Sequence, residues 1–84
     1  MRLEARKYLV DIQLAADRIE RFCGGKRFEQ YIADEMLRSA VERQFGIIGE
    51  ALSRLAQDDR IVWGVIENHL AQLRKSVREL LATP

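Results

Sequence analysis

Little in this sequence of 84 residues interrupts a helix: its one proline is Pro84, at the very end. No helix interior therefore loses an amide or meets a pyrrolidine ring. The single cysteine, Cys23, excludes an internal disulfide and fits a reducing cytosol. With one histidine beside it, the chain falls short of a four-ligand zinc set, so neither a metal nor a cofactor is expected. Fourteen basic against 13 acidic residues leave a net charge of +1, which is not the basic footprint of a nucleic-acid-binding domain. No apolar run approaches the ~18 residues of a membrane helix. Charges scattered through the opening "MRLEARKYLVDIQ" do not read as a signal peptide. The few serines and one histidine suggest no nucleophile–base arrangement, and the glycines match no phosphate loop.

What remains is a cytoplasmic helical domain, expected to span residues 1–84. A chain this short buries only about 60–65% of the surface its unfolded form exposes, and oligomerisation is a common remedy.

Apolar periodicity predicts three long helices. The first spans Leu3 to Cys23, with Leu9, Ile12, Ala16, Ile19 and Cys23 at helical steps and Tyr8, Ala15 and Phe22 widening that face. Gly24-Gly25 stops it, since glycine takes the left-handed cap conformation without strain. Leu3, Val10 and Leu14 form a second, narrower apolar row. In the link that follows, Phe28, Tyr31 and Ile32 have the spacing of one short helical turn that can plug the end of a hairpin. Asp34 is the expected cap of the second helix, Glu35 to Gln57. The apolar arc of that helix, extended by Phe45, exceeds that of an ordinary surface helix. On its back, Ser39, Glu42, Gly46, Gly49 and Ser53 step by three and four, a row of mostly small residues that lets another backbone come close. Asp58 or Asp59 caps the third helix, Arg60 to Leu81, whose stripe is Val62, Ile66, Leu70, Leu73, Val77 and Leu80.

Few side chains suggest chemistry. His69, at the edge of the third helix's stripe, has no partner in sequence to position it as a general base. Its bland reading is structural. "RKSVR", from Arg74 to Arg78, clusters three positive charges that can touch phosphates, but the end of a helix favours such residues anyway.

"YLVDIQLAADRIERFCGG" followed by "FEQYIADEMLRSAVERQFGIIGEAL" resembles the HepT-like group of HEPN-domain proteins. Tyr8-Leu9 with Asp11-Ile12, Phe28 with Tyr31, and Ala40-Val41 with the Ile47-to-Ala51 run carry the likeness. The closing "RIVWGVIENHLAQLRKSV" is similar too. The resemblance implies an all-α bundle that works as a homodimer and an RNA-cutting toxin of a toxin–antitoxin pair. The partner it implies is a minimal nucleotidyltransferase antitoxin that can add AMP to a tyrosine of the toxin. It places the chemistry in an arginine followed, after four to six residues, by a histidine, with the tyrosine often two residues beyond. Here the arginine positions before His69 hold Val62, Trp63 and Gly64; Arg60 is too distant, and Ala71 stands where the tyrosine would be. Between Ala56 and Ile61, where the resemblance expects a longer motif-bearing stretch, this chain has only "QDDR".

The fold expected is therefore an all-α, antiparallel three-helix bundle built on a long hairpin, dimeric or higher. Its expected role is a catalytically inactive dimerisation or partner-binding module. Leu3, Val10, Leu14, Phe45, Gly46, Gly49 and Ser53 are the expected interface. The alternative is a residual ribonuclease using Glu50, Arg43 or His69 in a composite dimer cleft, with RNA as substrate.

Overall fold

The computed structural model describes residues 3–83, and among these every regular element is a helix. In chain order they are α1 (Leu3–Cys23), α2 (Phe28–Ala33), α3 (Glu35–Leu55), α4 (Asp59–Asn68) and α5 (Leu70–Ala82).

Local chemistry sets the boundaries much as the sequence predicts. Gly25 ends the first helix at φ 74°, a left-handed conformation that costs glycine little. The Gly24 amide donates to the Glu20 carbonyl at 2.8 Å and the Lys26 amide to that of Cys23 at 3.0 Å. A side chain at Gly24 would crowd the Glu20 carbonyl, with its Cβ at 3.1 Å. The short turn around Tyr31 is α2, whose Gln30 side chain accepts from the Arg27 amide at 2.8 Å. Tyr31 is half-buried, while Phe28 and Ile32 stay exposed, so only the tyrosine serves as a plug. Asp34 caps α3, its Oδ1 accepting from the Leu37 amide at 3.0 Å. Arg38 reaches back to the Ile32 carbonyl and ties α2 to α3. Asp58 caps α4, accepting from the amides of Arg60 and Ile61.

The antiparallel α1–α3 hairpin is the packed part of the molecule. Ala5, Ala15, Leu37, Val41, Ala51 and Leu55 are buried in it. On α1 the inward line is Ala5, Tyr8, Ile12, Ala15, Ile19 and Phe22, rather than the one centred on Leu9, Ala16 and Cys23. The helix is rotated so that two alanines let the backbones approach. Ala16 is consequently exposed, and Leu9 and Cys23 lie at the flank. Periodicity could not reveal Gln44. It is 6% exposed in the same core, and its Oε1 accepts from Arg18 Nη1 at 3.3 Å. Burying a polar amide is tolerable when such a partner exists. The i, i+4 ion pair that forms is Glu50 with Arg54, at 3.9 Å on the exposed surface.

The third helix is not continuous. It divides at His69, whose backbone sits at φ −130°, ψ −19°. The Asn68 side-chain amide donates to the Gly64 carbonyl at 2.9 Å, four residues back along the helix. Such back-bonding bends helices, and Gly64, Asn68 and His69 are all modest helix formers. Helical bonds persist on both sides of the joint: the His69 amide donates to the Val65 carbonyl at 2.9 Å, and the Leu73 amide to the His69 carbonyl at 3.0 Å.

Neither α4 nor α5 contains a buried residue. The third element is thus an arm, and within one protomer it does not close the hairpin into a three-helix bundle. The Cα radius of gyration is 15.1 Å, where a compact chain of this length would have about 12 Å.

Candidate functional site

Arg43 and Glu50 are seven residues apart and so project from one face of α3, about 10 Å apart along the axis. Both are exposed on the side turned away from α1. Glu50 is engaged by Arg54; no other group joins them there. His69 lies elsewhere, at the joint of the arm. It borders a hollow of about 400 Å³ with Leu9, Asp58, Arg60, Ile61 and Asn68. Arg60 and His69 thus share a cleft, but nine residues of helix set them about 13 Å apart along the axis. One phosphate cannot be held between them. Among the described residues, no three of His, Cys, Asp and Glu lie close enough together to hold a metal ion. No described helix is long and apolar enough to cross a membrane.

The expected interface residues are all exposed, and they fall into two groups. Leu3, Val10 and Leu14 lie on the back of α1, opposite the α3 contact, at 86%, 39% and 45% exposure. Phe45 lies on one flank of α3, and Gly46, Gly49 and Ser53 lie on its back. A Cβ built at Gly46 or Gly49 meets nothing within 4 Å. Within the protomer, then, no backbone uses the close approach that the small residues permit.

The α3 flank continues into a feature that sequence reasoning missed. Leu9, Ile12, Leu52, Leu55 and Ala56 line an apolar hollow of about 260 Å³, which Ile61, Val62, Val65 and Ile66 of α4 only partly cover. Phe45 and Leu52, 59% and 52% exposed, stand between this hollow and Gly49 on the surface of α3. The flank was legible in the spacing of residues 45, 49, 52 and 56. The failure of the arm to cover it was not.

A family model described as Ribonuclease HepT-like matches residues 12–59, more than half of the chain. The chain belongs to the HepT-like family. The match starts in the third turn of α1, takes in α2 and α3, and stops at the first residue of α4. Of the resemblance drawn in the sequence, the part from Tyr8 to Ala51 falls largely within this match, and the closing stretch from Arg60 to Val77 lies outside it. No curated protein and no solved structure matches it.

Proposed function

We propose that this HepT-like chain is a catalytically inactive dimerisation and partner-binding module of a toxin–antitoxin system. The observation that carries the reading is uncovered surface. The protein exposes 7331 Å², whereas a compact monomer of 9.7 kDa would expose about 5,100 Å². The surplus, about 2,200 Å², lies within the area that each partner of an obligate homodimer buries. Its large apolar side chains are concentrated on the arm, from Val62 to Leu81, with smaller groups on the back of α1 and at Phe45 and Leu52 of α3. Soluble monomers rarely keep contiguous apolar surface of this extent.

Loss of ribonuclease activity is the second part of the reading. Valine, tryptophan and glycine stand where an arginine would have to precede His69. Of the side chains that remain, Arg43 and Glu50 project from one face of α3, while His69 lies apart from them at the joint of the arm. In a cytoplasmic setting, a minimal nucleotidyltransferase antitoxin is the partner class that family membership suggests.

Sedimentation of the purified chain tests the first part. A homodimer is expected at micromolar concentration; a folded monomer there refutes it. Incubation with RNA tests the second, with Glu50→Ala and His69→Ala variants alongside. No cleavage is expected. Cleavage that either substitution abolishes would instead establish a composite active site.

A further inference from the structure

We propose that α5 of one copy lies in the apolar groove along the α1–α3 hairpin of a second copy, so that a dimer forms by reciprocal exchange of arms about the His69 joint. The proposal rests on the dimer reading above and says which surfaces meet.

The first observation is an unpartnered helix with a one-sided seam. Leu70, Leu73, Val77 and Leu80 recur at steps of three, four and three, the pattern of a helix that docks into a groove. Every described residue of α5 is exposed, with Leu73 at 58% and Leu80 at 74%. The opposite face carries Lys75 and Gln72, so burying the seam leaves the polar side in water.

The second observation is a groove of matching length. α4 occupies only the end bordered by Leu9, Ile12, Leu52 and Ala56. Beyond it the same flanks run on, through Ala16, Ile19 and Cys23 of α1 and Phe45 and Ile48 of α3, all half-buried or exposed. From Ile12 to Cys23 is about 16 Å of helix, and from Leu70 to Leu80 about 15 Å. Gly49, one position round the helix from Phe45 and Leu52, has open space where a side chain would stand, so nothing bulky stands beside the groove on that side.

The third observation fixes the occupant. Each chain carries one groove and one seam, and a two-fold arrangement satisfies both at once, leaving neither bare. The surplus of about 2,200 Å² per chain is of the size that an obligate dimer buries. The arm does not fill its own groove: α5 packs against α4 and not along α1 or α3, and all its described residues are exposed.

The test reads contact across subunits. Lys75→Cys, on the polar face of α5 and in a Cys23→Ala background, takes a nitroxide spin label. The labelled chain is mixed with unlabelled, nitrogen-15-enriched chain. Amides of 16–23 and 45–48 in the enriched chain should lose at least half their intensity, while those on the back of α1 keep theirs. In parallel, the double substitution Leu73→Asp with Val77→Asp should weaken self-association on the order of a hundredfold or more. Hairpin helicity should survive, because α5 contributes nothing to the protomer's core. A dimer that shows no loss at the groove, or that ignores the double substitution, overturns arm exchange and leaves the dimer reading standing. A monomeric wild-type chain at micromolar concentration overturns both. Intensity loss only when label and nitrogen-15 share a chain would mean closure within one protomer, and would overturn exchange as well.

Discussion

Leu55→Ala isolates what holds the hairpin together. Leu55 is 3% exposed at the end of α3. It lines both the 260 Å³ groove and a smaller polar hollow of about 180 Å³ beside Glu4, Tyr8 and Arg54. The substitution removes three carbons, a transfer loss of about 2.4 kcal/mol at ~0.8 kcal/mol per methylene. A sealed site would add a full cavity term, bringing buried leucine truncations to as much as about 5 kcal/mol. Here water already reaches both sides of the leucine, so little new void is created. The expected cost is therefore about 2.5–3 kcal/mol, the low end of that range. Against the ~4–13 kcal/mol that a domain this size possesses, such a loss is readily measured by urea unfolding followed by far-ultraviolet circular dichroism. Leu52→Ala is the control: the same side chain one turn earlier, but 52% exposed. At protein concentrations low enough to keep the chain monomeric, it should cost less than about 1 kcal/mol. Equal losses from the two substitutions in the monomer would refute the packing register of α1 on α3.

Three further outcomes probe separate parts of the fold. Asp34→Ala removes the oxygen that caps α3 and should cost about 1 kcal/mol in the same unfolding assay. Gln44→Ala leaves Arg18 without its acceptor and should cost about 1–2 kcal/mol. Adding Arg18→Ala should then cost less than the sum of the singles, and strict additivity in the double-mutant cycle would show that the contact is not energetic. Asn68→Ala frees the Gly64 carbonyl and should raise helicity with a gain of a few tenths of a kcal/mol; a fall in ellipticity would show that the joint is not made by that side chain.

The parts legible in sequence are those set by local chemistry. Gly24-Gly25, Asp34 and Asp58 mark helix ends because their preferred conformations and hydrogen bonds hardly depend on the rest of the fold. The inward face of α3 was broadly legible, since leucine and valine recur there at helical spacing, although Leu52, on the same stripe as the buried Leu37, Val41 and Leu55, is 52% exposed. The inward face of α1 was harder to read. Alanine has so little area that periodicity gives Ala15 and Ala16 equal weight, and only the partner helix decides between them. Gln44 looked like a surface residue because its burial depends on Arg18, which is 26 positions away. The joint at His69 had a local signal in Gly64 and Asn68-His69, but the regular apolar stripe through Ile66, Leu70 and Leu73 outweighed it. Periodicity reports which side of a helix is apolar, not whether the helix is straight or what covers that side.

At the C-terminal side, packed residues give way to bare ones close to where the family match stops. Among the described residues, all buried side chains lie between Ala5 and Leu55, and the match ends at Asp59. The hairpin of the HepT-like chain is thus a framework with its own core, thin as that core is. The arm has a regular apolar seam and nothing within the chain to bury it against. An element free of any packing role would lose such a seam readily, because each exposed leucine costs solubility and returns no stability. A run of four apolar positions at docking spacing, on a helix with no intramolecular partner, is best accounted for by an intermolecular one. For the same reason the joint belongs where it is. A straight α4–α5 helix would carry the seam in one fixed direction, whereas a bend at His69 lets the seam be aimed at a second hairpin. Straightening the joint should accordingly weaken self-association even as it raises helicity. Asn68→Ala therefore has a second readout: the same substitution that stabilises the helix should shift the sedimentation equilibrium toward monomer. If helicity and association rise together, the bend is incidental to assembly.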